Sequence, residues 1–337
     1  MKKSSKILTL LIAIVLSFSL FALTACSNGN SSDRKVVRIS TTTSVNDSGL
    51  MEYLQPYFEA DTGYKWEISS AGTGAAIAAA TYGNADVILV HSKKSEDEFV
   101  EQGFARKTDG YLAERISFMN NYFVLVGPTG STINTATVKD AFNDIFTNKY
   151  KFISRGDKSG THNKEITLWP DAMAQLFEGG KITNDITKIP AGILYNEKTN
   201  PDGFYVSAGS GMGACLTMAN EMNAYCLTDK ATFLSMKNDP SGDKLPKLSI
   251  LKESDKDMKN TYTMIAVNPD APFKDAGGNL LPKGSVKVDT IAADVFINWM
   301  NSIHARSLIK QYGIEQYGEQ LFFLENYSNF VVPEIIG

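Results

Sequence analysis

Short apolar runs alternate with helical patterns along this 337-residue chain, and that alternation most limits what it can fold into. Residues 36–40 and 64–69 predict two strands separated by a helix at 50–59. An alanine-rich helix ending at Tyr82 and a strand at 87–90 follow. Parallel strands need a crossover connection, usually a helix, so this order predicts an α/β fold with a parallel sheet.

Two apolar segments, at 122–128 and 262–267, are candidate connections between two domains. The first ends at Gly127-Pro128 and the second is followed by Asn268-Pro269, and both pairs are typical strand breakers. The block between the segments has its own α/β alternation. The pattern therefore predicts a hinged, two-lobed architecture with a ligand cleft between the lobes and two hinge strands. We expect lobe 1 to comprise residues 35–121 plus 267–337, and lobe 2 to comprise residues 122–266.

The N-terminus has the pattern of an export signal. Three lysines within the first six residues precede an apolar run at 7–22 and then Leu23-Thr24-Ala25-Cys26, which resembles a lipobox. We expect residues 1–25 to be a lipoprotein signal peptide, Cys26 to carry lipid, and residues 26–34 to be a flexible tether. The folded part would then lie outside the cytoplasm, anchored to the cell membrane. A retained membrane-spanning anchor with an ordinary cysteine is the alternative.

Four loops share a composition of glycine, serine and threonine between a predicted strand and a predicted helix. They are residues 41–44, 69–74, 154–161 and 207–213. Each offers free backbone N–H groups, hydroxyl donors and the positive end of a helix dipole, which suits a compact anion. Taken singly, such clusters are also ordinary caps and turns. Their recurrence in both predicted lobes favours an anion site between them, because ligands bind at the carboxyl ends of parallel strands.

The third loop adds a guanidinium to these hydroxyl donors. Arg155 offers a fork of donors suited to two oxygens of one oxyanion. We expect Asp157 to hold that guanidinium in position and Lys158 to point to solvent.

The loops and the strands before them carry a family resemblance. The matching segments are residues 39–44, 47–50, 72–74, 85–91, 154–162, 209–214, 225–229 and 265–269. Together they resemble the tungstate-binding proteins of bacterial ABC importers, a branch of the type II periplasmic-binding-protein fold. The resemblance implies a monomeric protein that closes two lobes over tungstate and delivers it to a membrane permease, with no cofactor.

The resemblance also implies a set of residues that face the oxyanion. Thr43, Ser44, Thr73 and Arg155 are the strongest candidates by position. Their neighbours complete the expected set, which is Thr42, Thr43, Ser44, Ser70, Thr73, Arg155, Ser159, Gly160, Thr161 and Ser210. Some of these hydroxyls must instead cap their helices.

Phosphate and molybdate are rival ligands. The pattern Arg155-x-Asp157-x-Ser159-Gly160-Thr161 is also similar to the arginine-containing loop of phosphate-binding proteins. Phosphate near neutral pH carries a proton and favours a carboxylate acceptor, whereas tungstate and molybdate are deprotonated dianions that a carboxylate repels. Asp47 is predicted to cap the helix at 50–59, so the site is predicted to contain donors only. Sequence does not separate tungstate from molybdate.

Several other functional classes and sites are disfavoured. Removal of residues 1–25 takes the formal charge from −4 to −7, which argues against a nucleic-acid partner. The three histidines, His91, His162 and His304, lack zinc-ligand spacing. Catalytic motifs are missing and Ser210 has no assignable histidine partner, so we expect no enzyme. A sensor would need an output domain, which the sequence does not show. Cys215 and Cys226 form either a disulfide or two buried thiols.

Overall fold

The computed structural model describes residues 35–157, 159–170 and 203–325. The predicted signal peptide, Cys26, the tether and Lys158 lie outside the described residues. Within this part of the chain, no helix is long and apolar enough to cross a membrane.

The described residues form eleven strands. These are β1 Val36–Thr42, β2 Lys65–Ala71, β3 Val87–Val90, β4 Ala105–Arg106, β5 Ile116–Pro128, β6 Phe152–Ser154, β7 Tyr205–Ser207, β8 Tyr225–Asp229, β9 Leu248–Lys252, β10 Lys259–Val267 and β11 Phe323–Leu324.

Helices alternate with these strands. They are α1 Thr43–Asp47, α2 Leu50–Thr62, α3 Thr73–Thr81, α4 Lys93–Glu101, α5 Val138–Asn148, α6 Gly160–Ile166, α7 Met212–Met222, α8 Lys230–Lys237, α9 Thr290–Met300, α10 Ile303–Gln311 and α11 Ile314–Tyr317. A single 3₁₀ turn, Lys256–Met258, precedes β10.

Parallel pairing brings the ends of strands in each half of the sheet to one edge. In the first half, β1 runs parallel to both β2 and β3, with Ile39 opposite Ile68 and Val87. In the second half, β6 runs parallel to both β7 and β8, with Ile153 opposite Val206 and Cys226. The predicted parallel α/β pattern is confirmed. It places the glycine and hydroxyl loops that follow β1, β2, β6 and β7 at the carboxyl ends of their strands.

Strand β5 is common to both halves of the sheet. Its first part pairs with β10 and β11, and its last residues, Phe123–Pro128, pair with β8 and β9. It is 13 residues long, so one continuous strand passes from one half to the other. Strand β10 lies antiparallel to it, with Asn260 opposite Asn121. The two apolar segments singled out in the sequence therefore run side by side.

Each half of the sheet has its own apolar core. In the first half, Phe58 stacks on Trp66 with ring centroids 4.7 Å apart. In the second half, Trp169 packs edge-on against Phe142, also at 4.7 Å. Burial of aromatic rings stabilises each half through its own contacts. Polar loops are consequently free to meet where the halves face each other.

Two sequence expectations near these elements are settled by the structure. Asp47 is not the cap of α2: it ends α1, and Gly49, with φ +77°, stands immediately before Leu50. The prediction was wrong because a short helix, capped by Thr42, precedes α2. Cys215 and Cys226 are free and buried, which supports the buried-thiol alternative. Burial raises the pKa of Cys215 to about 12.

Candidate functional site

The guanidinium of Arg155 is the charged centre of the candidate site. Arg155 directly follows β6, and its side chain is only 3% exposed. Its Nε and Nη2 both donate to Oδ2 of Asp157, at 3.1 and 2.6 Å. Nη2 also donates to Oγ1 of Thr43 at 3.2 Å. The prediction that Asp157 holds the guanidinium is confirmed, and the same group reaches the first loop from the opposite half of the sheet.

The first loop is organised by a triangle of polar atoms. Oγ1 of Thr42 and Oγ of Ser44 are 3.1 Å apart. Nε2 of His91 lies 3.0 Å from the first and 2.9 Å from the second. Thr42 also caps α1 by accepting from the backbone N–H of Val45 at 3.4 Å. All three side chains of the triangle are buried.

His91 was not among the predicted site residues. It directly follows β3, and β3 lies beside β1 in parallel register, so the carboxyl ends of the two strands are neighbours. That register was the available signal, because it places residue 91 next to the loop that starts at residue 42. Burial and the nearby Arg155 lower the pKa of His91 to about 4, so the imidazole is neutral at physiological pH.

Two further hydroxyls are buried without a protein partner. Thr73 is the first residue of α3 and Thr161 lies in the first turn of α6, and each is 1% exposed. Neither Oγ1 atom has a hydrogen-bond partner among the described residues. Buried polar atoms are nearly always hydrogen-bonded, so unpaired hydroxyls at two helix N-termini indicate a place where a ligand accepts.

Glycines allow the loops of the two halves to approach closely. A Cβ on Gly160 would lie 2.1 Å from Cε1 of His91, so a side chain does not fit there. A Cβ on Gly72 would be 3.8 Å from the carbonyl oxygen of Asp157, which is ordinary contact distance. The third loop of the sequence analysis therefore touches both the end of β3 and the loop that precedes α3.

The remaining predicted residues have different surroundings. Ser159 caps α6 by accepting from the N–H of His162 at 3.3 Å. The backbone N–H of Ser210 donates to the carbonyl of Arg155 at 3.2 Å, and its hydroxyl donates to Ala208. Ser70 is exposed near the end of β2, and within the described residues no hydrogen bond links its side chain to the others. The structure thus brings together the loops of Thr42, Thr73, Arg155 and Gly160, and leaves Ser70 at the periphery.

Carboxyl groups around these loops are already occupied by donors. Asp157 accepts from Arg155 and, through Oδ1, from the N–H of Ser159 at 3.0 Å. Glu165, one turn beyond Thr161, accepts at Oε1 from Trp169 and Tyr205, both at 3.0 Å. Burial raises the pKa of Glu165 to about 7 against the opposing effect of those hydrogen bonds. The arrangement presents hydrogen-bond donors to a compact anion.

Comparison with known proteins agrees with this geometry. A family model for the PBP (periplasmic-binding-protein) superfamily domain matches residues 28–302. The tungstate-binding protein TupA of Peptoclostridium acidaminophilum is 37% identical over 336 residues, which cover 96% of this chain and 98% of that protein.

Two solved structures are similar over most of their length. The tungstate-binding protein TupA from Desulfovibrio alaskensis superposes with a TM-score of 0.63 at 30% identity, covering 86% of this chain and 98% of that one. The structure described as the tungstate ABC transporter from Geobacter sulfurreducens has a TM-score of 0.61 at 33% identity, covering 82% of this chain and 99% of that one. The resemblance and the type II fold class inferred from sequence are confirmed. This chain belongs to the periplasmic-binding-protein superfamily and, within it, to the family of the tungstate-binding proteins.

Proposed function

We propose that this protein captures tungstate between its two lobes and delivers it to the membrane permease of an ABC importer. The observation that carries the proposal is the meeting of Arg155 with donors from both halves of the sheet, while the buried hydroxyls of Thr73 and Thr161 have no protein partner. Relatives that are 30–37% identical are named for tungstate, which supports the choice of anion.

The direct ligands in this proposal are the donors closest to the Arg155 guanidinium. Thr43 contacts it, and Ser44, Thr73, Thr161 and the N–H of Gly160 lie on the loops that converge with it. Three other predicted residues support these donors: Thr42 caps α1, Ser159 caps α6, and Ser210 contacts the Arg155 backbone. Ser70 is assigned to the rim.

The occupied carboxyl groups favour a deprotonated anion over phosphate. Phosphate near neutral pH carries a proton that needs an acceptor. Asp157 is committed to Arg155 and Ser159, and Glu165 to Trp169 and Tyr205. A site without a spare carboxylate oxygen favours tungstate or molybdate, both of which are dianions without a proton.

Closure of two lobes gives the proposed capture mechanism. Lobe 1 comprises residues 35–121 plus 267–337, lobe 2 comprises residues 122–266, and β5 and β10 connect them. An anion that contacts both lobes binds the closed arrangement better than the open one and shifts the population toward it. The permease would recognise the closed form. A monomer that is anchored through lipid on Cys26 after loss of residues 1–25, and that needs no cofactor, completes the proposal.

A hydrolytic activity is the alternative from another class, because Ser44 and His91 are hydrogen-bonded at 2.9 Å. Such a pair needs a third group to orient the imidazole. Among the described residues Nδ1 of His91 has no partner, and a pKa of about 4 makes the ring a weak base. These two features favour a binding role for the pair.

Isothermal titration of residues 27–337 against tungstate, molybdate, sulfate and phosphate at neutral pH tests the proposal. We expect tight one-to-one binding of tungstate and no binding of phosphate. Binding of phosphate without tungstate would disprove the assignment and require a free acceptor carboxylate. A response to none of the four would return attention to the Ser44 and His91 pair.

A further inference from the structure

We propose that His91 is a positioning residue of the oxyanion site, and that it directs the hydroxyl hydrogen of Ser44 toward the bound anion. The inference rests on the proposed function and adds a residue that contacts the ligand only through another side chain. It follows from counting hydrogens in the triangle of Thr42, Ser44 and His91.

The hydrogen count depends on what Thr42 already does. One lone pair of its Oγ1 accepts from the N–H of Val45, and the other faces Nε2 of His91. When Nε2 carries the proton, both lone pairs of Thr42 are filled and its own hydrogen goes to Oγ of Ser44. The hydrogen of Ser44 then has no acceptor within the triangle and is free for an anion.

The opposite tautomer removes that free hydrogen. If Nε2 is unprotonated, it must accept from one of the two hydroxyls, and the second hydroxyl hydrogen joins Thr42 to Ser44. The triangle then consumes both hydroxyl hydrogens. A dianion would meet an oxygen lone pair at Ser44 where it needs a donor.

Burial favours the productive tautomer. Nδ1 of His91 is buried and has no hydrogen-bond partner among the described residues. A buried N–H without an acceptor loses the hydrogen bonds it would make to water, and an unpaired acceptor is tolerated more readily. The proton therefore resides on Nε2, where two hydroxyl oxygens can share it.

The imidazole is held in this orientation from both halves of the molecule. Its ring lies 5.2 Å from the ring of Tyr262 on β10 and 6.5 Å from that of Phe123 on β5. Gly160, the first residue of α6, closes the remaining side. His91 consequently touches the two connecting strands and the second half of the sheet at once.

A double-mutant cycle separates positioning from simple packing. His91→Phe keeps a planar ring and removes the donor, so we expect tungstate affinity to fall by about 10- to 100-fold. In a Ser44→Ala background the same change should cost less than about threefold, because the hydrogen it positions is absent. His91→Gln, whose amide can reach the position of Nε2, should restore binding to within about fivefold of wild type. His304→Phe, at a half-exposed histidine paired with Asp61, is the matched control and should bind normally.

Nuclear magnetic resonance of the wild-type protein tests the tautomer without any variant. A two-bond ¹H–¹⁵N correlation spectrum of the histidine rings should show Nε2–H and unprotonated Nδ1 for His91. The Nδ1–H tautomer, unchanged tungstate affinity of His91→Phe, or equal costs of that change in both backgrounds would overturn the inference. Loss of tungstate binding in the wild type would instead disprove the proposed function, so the two failures are distinguishable.

Discussion

Nη2 of Arg155 donates to Oγ1 of Thr43 at 3.2 Å although the two residues are 112 positions apart and belong to opposite halves of the sheet. The same nitrogen donates to Asp157 at 2.6 Å. One planar group therefore reads the position of the first loop while a carboxylate fixes its own plane. Lysine has no fork and could not make both contacts in this geometry.

Arg155→Lys is expected to weaken tungstate binding by about 10- to 100-fold, the loss of one or two hydrogen bonds to a charged group. The positive charge remains, so thermal unfolding of the ligand-free protein should change little. Arg106→Lys is the control, because Arg106 pairs with Asp294 and the carbonyl of Thr290, away from the site. Titration calorimetry on both variants gives the measurement, and equal affinities would remove Arg155 from the site.

Thr73→Val and Thr161→Val should weaken binding while leaving the ligand-free protein as stable as before, or more stable. Each replacement removes a buried hydroxyl that has no protein partner, so no internal hydrogen bond is lost. Thr232→Val is the contrasting variant, since both its N–H and its hydroxyl serve the buried Asp229. It should lower the melting temperature and leave tungstate affinity unchanged. A fall in stability for the first two variants, with normal binding, would mean that their hydroxyls are structural.

Much of the fold was predictable because its signals are local. Apolar runs bounded by glycine or proline mark β1, β2, β3 and β5, and the glycine and hydroxyl clusters mark the loops behind the strands. His91 escaped prediction because its partner Thr42 lies 49 positions away and only the parallel register of β1 and β3 joins them. A single sequence without contacts does not report that register.

Ser70 and Asp47 show two other limits of local reasoning. Ser70 occurs in a loop composition similar to that of Thr42, yet β2 is the edge strand of the order β2-β1-β3, and its end faces solvent. Asp47 has the residue type of a helix cap, but Gly49 takes that position with a left-handed backbone. In both cases strand order or backbone conformation decided between residues of equal propensity.

Glu165 should make stability decrease as pH rises toward neutrality. Its pKa is raised from 4.5 to about 7 by burial, so the folded state holds the proton more tightly than the unfolded state. The resulting stabilisation is complete below pH 4.5 and is lost as pH rises through 7. Glu165→Gln should remove about 1–3 kcal/mol of the decrease between pH 5 and pH 8. Urea unfolding at the two pH values measures this, with the exposed Glu98→Gln as the control that keeps the wild-type slope.

Gly160→Ala is the most direct test of closure. An added methyl group would lie 2.1 Å from Cε1 of His91, and the ring cannot retreat because Tyr262 and Phe123 pack beside it. The clash exists only while α6 and the end of β3 are in contact, so the variant should fold normally in an open arrangement and bind tungstate at least about 10-fold more weakly.

Gly213→Ala supplies the comparison for that test. It lies in the first turn of α7, where the added methyl group would approach no closer than 3.7 Å to Sδ of Met236. Alanine should stabilise that helix by roughly 0.5–1 kcal/mol without changing affinity. Small-angle scattering with and without tungstate should show compaction for wild type and Gly213→Ala but not for Gly160→Ala. Wild-type compaction and affinity in Gly160→Ala would show that the contact between His91 and Gly160 is not required for capture.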